Sequence, residues 1–156
     1  MPTAALKPLL RIDAEIAAMT HTGMTPAGHV ALVPITRGSF EAEDVRGELL
    51  GGGADWQHLR SDGAVEISAR YLLRSQQGEV IEVRSDGVCA PTPEVRERKA
   101  RGETTSIHDY YWRTSLRFRT AAERLLRWND VLAVAYLSLR KSGSAVSVHL
   151  DVFEVL

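Results

Sequence analysis

The stretch "AVEISARYLLRSQQGEVIEVRS", Ala64 to Ser85, decides the fold. Val65, Ile67, Ala69, Tyr71 and Leu73 fall on every second position, and Glu66, Ser68, Arg70 and Arg74 fall between them. Successive side chains of a strand point to opposite faces, so this spacing gives one apolar and one polar face. "SQQG", Ser75 to Gly78, supplies turn chemistry, and the chain resumes alternation with Val80 and Glu82 opposed to Ile81 and Val83. Two such runs joined by a short glycine-containing turn read as a β-hairpin.

The same pattern repeats on both sides. "YYWRTSLRFR" puts Tyr110, Trp112, Thr114, Leu116 and Phe118 on one face and Tyr111, Arg113, Ser115, Arg117 and Arg119 on the other. "VLAVAYLSLR" and "AVSVHLDVFEVL", joined by "KSGS" at Lys141 to Ser144, form a second hairpin in which Val146, Val148, Leu150 and Val152 share a face. "LLRIDAEIAAM" fits helical or strand spacing, and its all-strand surroundings favour the strand. "GHVALVPITRGSFEAEDVRGELLG" contains a β-rich run ending near Pro34 and a turn at Arg37–Gly38. "TAAERLLRWND" is the one helical segment, near residues 120–128, with Thr120 as cap and Glu123 as its capping-box partner. Many short strands with near-neighbour hairpins predict an all-β fold, a closed or nearly closed antiparallel β-barrel. A barrel of about eight strands can hold one small ligand inside.

At 156 residues the chain is read as a single domain, residues 1–156, large enough for a core without staples. A net charge of −1 gives no overall field toward nucleic acid or an anionic membrane. The basic run between Arg84 and Arg101 interleaves Arg96, Arg98, Lys99 and Arg101 with Glu94 and Glu97 and lacks aromatics, so it reads as a solvated loop or short helix face, with phosphate binding as the alternative. The single cysteine, Cys89, excludes an internal disulfide and reads as small buried filler. The five histidines show no metal spacing, and no phosphate-binding glycine motif precedes a helix, so neither metal nor nucleotide cofactor is indicated. With no long apolar run and no basic, apolar leader pattern, the expectation is a soluble cytoplasmic protein.

"GGGADWQHLRSDG", Gly51 to Gly63, reads as a tight corner that aims Asp55 and Trp56 into a cavity. Arg70 and Arg113 sit within strongly β runs, and alternation alone leaves open whether they face the lumen or solvent. "RWND", Arg127 to Asp130, again couples a tryptophan with an amide and an acid. Asn129 carries both donors and an acceptor for a ligand carbonyl, or ends the helix as a turn residue.

The order "RGELLGGGADWQ … ARYLLRS … YYWRT … RWND … DVFEV" resembles the domain of unknown function 3237 family, also called UPF0311, over about Pro8 to Val155. The resemblance implies a small β-barrel, lipocalin-like in outline, with an internal pocket. It places the family's characteristic polar and aromatic residues at Asp55, Trp56, Arg70, Tyr71, Tyr111, Arg113, Trp128 and Asn129.

From these residues the expected function is a cofactor-free enzyme, a lyase, isomerase or cyclase acting on a carbonyl-bearing or phenolic small molecule. Asp55 would move the proton, and Arg70, Arg113 and Tyr111 would hold developing negative charge. Trp56, Tyr71, Trp128 and Asn129 would contact the substrate. The alternative is a non-catalytic carrier in which Arg70 and Arg113 pair with a ligand carboxylate. A third reading is a dry barrel that binds partners along its strands. A small-molecule ligand is the expected partner, and exposed strand edges leave room for a homodimer.

Overall fold

Alternation closes this chain on itself. The computed structural model describes residues 1–156 and contains ten strands: β1 (Leu6–Ile16), β2 (Thr20–Thr25), β3 (Gly28–Ala42), β4 (Arg46–Leu49), β5 (Gly53–Leu59), β6 (Val65–Ser75), β7 (Val80–Pro91), β8 (Tyr110–Thr120), β9 (Ala133–Ser142) and β10 (Ala145–Val155). Every pairing is antiparallel. The order runs β1, β10, β9, β8, β7, β6, then β4 and β5 sharing one position, then β3, which pairs back onto β1. The result is a closed antiparallel barrel of eight positions, with β2 extending the edge of β3 beyond the reach of β1. No helix is long and apolar enough to cross a membrane.

The β6–β7 hairpin carries the predicted faces: Ile67, Ala69, Tyr71 and Leu73 are buried, as are Ile81 and Val83 on β7. On β8 the buried set is Trp112, Thr114, Leu116 and Phe118. β1 is a strand, with Leu10, Ile12 and Ala14 inside.

Two local expectations are overturned. The chain does not turn at Arg37–Gly38. β3 runs through it, and Gly38 pairs with Ala14 of β1 and Leu49 of β4. A Cβ at Gly38 would collide with the backbone carbonyl of Asp13, so this glycine permits a close approach of two strands and bends nothing. The reversal comes later, where the Ala42 amide donates to the carbonyl of Val45 at 2.7 Å.

The second correction concerns the helix near residues 120–128. Thr120 ends β8, its hydroxyl donating to the carbonyl of Val80, and the helical segment is a 3₁₀ helix at Glu123–Asp130 without a side-chain cap. A second short helix, α1 (Pro93–Ala100), lies in the basic run. Thr92 caps it, and Pro93 begins it where no backbone donor is needed. Its charges are engaged locally: Arg96 donates to the carbonyl of Asp62, and Arg98 pairs with Glu103 and Asp109.

The barrel interior has two unequal halves. One is solid: Leu73, Ile81, Val83, Leu116 and Phe118 are essentially fully buried, and the 3₁₀ helix drives Leu125 and Trp128 into the same cluster. Phe118 and Trp128 meet at 5.3 Å between ring centroids. The other half, toward the β5–β6 turn and α1, is hollow.

Substituting Gly38→Ala should destabilise the fold by about 3 kcal/mol or more, because neither backbone can yield without opening the β1–β3 seam. Thermal or urea unfolding of the variant measures this, and the loss should exceed that of alanine at any exposed strand position.

Candidate functional site

The hollow half encloses a cavity of about 300 Å³ lined by twenty residues, seventeen of them hydrophobic. The remaining three are Asp55, Gln57 and Ser85. Met19 and Ile107 line the cavity while staying 41% and 37% exposed, so they mark its mouth. Tyr71, Ala69, Ile35 and Leu150 belong to the solid cluster and form its floor.

Asp55 reaches the cavity through the period of β5. Asp55, Gln57 and Leu59 face inward, with Asp55 opposite Val33 of β3 and Ala69 of β6. Between those two apolar neighbours the carboxylate finds two donors: Gln57 Nε2 at 2.7 Å and the Ser68 backbone amide at 3.1 Å. Burial pushes its pKa above the ordinary carboxylate value, and the two hydrogen bonds oppose that rise without cancelling it.

Gly52 makes the corner at φ +98, and Gly53 brings its backbone against β6, where a Cβ would come within 2.5 Å of Tyr71 Cβ. The glycine run therefore sets the position of both Asp55 and Tyr71. Tyr71 is buried, and its hydroxyl has no hydrogen-bond partner in the protein. Burial, helped by the nearby Asp55 charge, raises its pKa far above the ordinary phenol value, which keeps the proton on the oxygen. Trp112 is the second such group: it lines the cavity, and its buried indole Nε1 also lacks a partner. Trp112 packs with Ile67 and Cys89 in a separate small cluster. Ser85 donates to the Thr114 hydroxyl at 2.8 Å.

Of the eight residues singled out from the sequence, Asp55 and Tyr71 line this cavity and six do not. Trp56 is 57% exposed on the outer face, because adjacent strand residues cannot share one side. Arg70 points outward for the same reason and pairs with Glu82 at 2.6 Å. Tyr111 and Arg113 lie on the outer face of β8, where the Arg113 guanidinium sits 3.8 Å from the Tyr136 ring centroid and donates to the Trp112 carbonyl. Trp128 plugs the solid end.

Asn129 is consumed by structure. Its oxygen accepts from the Thr120 amide, and its nitrogen donates to the carbonyls of Thr120 and Leu126, all at 2.9 Å. Trp112 and Gln57 were missed by the sequence reading. The signal for Gln57 was its position two residues from Asp55, and for Trp112 its place on the face of Leu116 and Phe118.

Fold and cavity together define a small β-barrel with an apolar internal chamber holding one carboxyl group. The chain belongs to the family described as protein of unknown function (DUF3237), whose profile matches residues 4–155. A UPF0311 protein of Rhodopseudomonas palustris is 31% identical over 119 residues, 76% of this chain and 78% of that one. The crystal structure of a β-barrel-like protein from Acinetobacter baumannii superposes with a TM-score of 0.85 at 29% identity, covering 100% of this chain and 98% of that one. An enzyme from Penicillium herquei shares the fold at a TM-score of 0.69 and 16% identity, covering 100% of this chain and 98% of its own.

A carboxyl whose folded pKa is raised costs stability as pH climbs from its ordinary value, 3.8, through the raised one. Asp55→Asn should therefore gain stability relative to the unsubstituted protein between pH values below 3.8 and neutrality, as parallel thermal melts will show.

Proposed function

We propose that this protein is a cofactor-free enzyme that moves a proton on a small molecule held in the barrel chamber, with Asp55 as the proton-transferring group. The observation that carries the reading is the placement of Asp55. It is the single carboxyl group lining a mostly hydrophobic cavity, and burial raises its pKa in the direction a general base needs.

The chemistry follows from the groups present. Asp55 in its ionised form takes a proton from the carbon beside a substrate carbonyl, and the electron pair of that C–H bond moves onto the carbonyl oxygen as an enolate. Return of the proton from Asp55 to the same or another carbon completes an exchange or an isomerisation with no net redox change. Gln57 and the Ser68 amide hold the carboxylate in one orientation throughout. The arginines assigned to charge stabilisation from sequence lie outside the wall and take no part in this scheme.

The Penicillium herquei protein of the same fold is described as an enzyme, which supports a catalytic use of the barrel. The apolar lining favours a second reading, a carrier, in which Asp55 fixes ligand orientation and no bond changes.

Deuterium exchange next to the carbonyl of methoxytetralone, a neutral two-ring ketone, separates the two. The enzyme should accelerate exchange above buffer, with a rate that rises with pH through an apparent pKa above the ordinary carboxylate value, because the base must be ionised. Asp55→Asn should lower the enzymatic rate by roughly 10²–10⁴-fold while leaving binding of the ketone within a few fold. Binding without Asp55-dependent exchange on this or related ketones identifies a carrier.

A further inference from the structure

Three arginines lie in one row across the outer face of the barrel. Arg70 of β6 is paired in register with Arg84 of β7, and Arg84 is paired in turn with Arg117 of β8. Side chains directly opposite one another on antiparallel strands have Cβ atoms about 4.5–5.5 Å apart, and like charges placed so destabilise the sheet. Arg119 lies on the same face two residues beyond Arg117, about 7 Å further along the strand. All four are exposed. An antiparallel sheet facing water needs only polar side chains there, so closure of the barrel does not call for four cations side by side.

The acids of this face leave much of that charge uncancelled. Glu82 is bound to Arg70 at 2.6 Å, although its register partner on β8 is Arg119. Asp86 accepts from the Ser68 hydroxyl at 2.7 Å and meets Arg84 only loosely, at 3.7 Å. Neither Arg117 nor Arg119 forms an ion pair with any acid of the chain. Other exposed arginines are matched: Arg74 holds Glu48, Arg124 holds Glu79 and Arg127 holds Glu154. The arginines of α1 and the residue after it are engaged too, by Asp62, Glu103 and Asp109.

The unmatched arginines border a groove. β9 pairs with β8 only as far as Leu116, opposite Ala133, and beyond that point Thr120, Ala121 and Asn129 bound the space where a neighbouring strand would lie. The groove has a volume of about 780 Å³, and Arg84, Arg117, Arg119, Leu72 and Val80 are in its lining. Leu72 and Val80 are 42% and 44% exposed, which gives the groove an apolar flank beside its cations. We propose that this groove is a second ligand site, separate from the barrel chamber, and that it binds the phosphate monoester of a small molecule. Arg117 and Arg119 hold the phosphate with Arg84 as the third cation, and Leu72 and Val80 contact the apolar body of the ester. A guanidinium presents its N–H donors as a planar fork that matches two phosphate oxygens, and a dianionic head group cancels the repulsion within the row. A carboxylate offers one charge and two oxygens to three arginines and leaves the row cationic. Neither site depends on the other.

Phenyl phosphate is the probe, titrated calorimetrically into the intact protein at low ionic strength and again at physiological salt. Benzenesulfonate, with the same ring and a single charge, should bind roughly five-fold more weakly or worse. Arg117→Gln and Arg119→Gln should each weaken phenyl phosphate by roughly ten-fold. Arg37→Gln is the control, since it removes an exposed arginine on β3 that is already paired with Glu15. It should change the affinity by less than about two-fold, because a distant surface charge is largely screened.

Thermal melting separates a ligand role from a structural one. Arg117→Glu places opposite charges at the Arg84–Arg117 pair, so it should melt no lower than the unsubstituted protein at low ionic strength while losing phenyl phosphate. Phosphatidylcholine vesicles containing phosphatidic acid carry the same head group on a membrane, and they should not sediment the protein. Equal affinity for the sulfonate and the phosphate, or equal losses in Arg37→Gln and Arg117→Gln, overturns the proposal. So does binding to the vesicles alone, or phenyl phosphate binding that disappears at physiological salt.

Discussion

Closure of the sheet is the constraint on which every other feature rests. β1 is hydrogen-bonded to β10 on one side and β3 on the other, and this seam converts an open sheet into a wall with an inside and an outside. The seam depends on Gly38, where two backbones approach too closely for any side chain. Once the wall is closed, each strand residue has one of two fates fixed by the parity of its position. Closure also leaves few free strand edges, and the solvent-exposed residues of the chamber lining are Met19 and Ile107.

The partition of charge across that wall accounts for the character of the site. The arginines of β6, β7 and β8 stand on the outer surface, several of them paired there with acids, such as Arg70 of β6 with Glu82 of β7 and Arg84 with Asp86 two residues along β7. The interior retains Asp55 without a compensating cation. Desolvation then dominates its electrostatics, and the two hydrogen bonds it accepts orient it more than they neutralise it. The helical plug at the far end contributes by filling the other half of the barrel. The apolar volume that Trp128 and Leu125 occupy there is closed to ligand, and the remaining space is the mostly hydrophobic chamber.

Much of this was legible in the residues. The two hairpins, the inward faces of β6, β7 and β8, and the family resemblance all followed from alternation and turn chemistry. Of the residues picked out, Asp55 and Tyr71 line the chamber. The slips share a physical origin. Asp55 and Trp56 were assigned to one cavity although strand parity separates neighbours. Arg70 could have faced a lumen only if the apolar side of β6 had been covered from outside, and the chain has no helix long enough to do so. Gly38 was read as a turn because a glycine required for close strand approach looks the same in sequence as one required for reversal. Asn129 was read as a ligand amide because its three backbone partners come together only in the folded chain. Trp112 was hidden among ordinary core residues, since whether an indole N–H is satisfied is a property of three-dimensional surroundings alone.

The ladder position of Asp55 has one more implication. Its flanking residues on the two adjacent strands are Val33 and Ala69, and these set how much solvent and how many dipoles the carboxyl can sense. Proton affinity in this chamber is thus adjustable from the side. A bulkier aliphatic group at position 69 would desolvate the acid further, and a hydroxyl there would moderate it, in each case without altering the acid itself. These two wall positions are a dial separate from Asp55 itself.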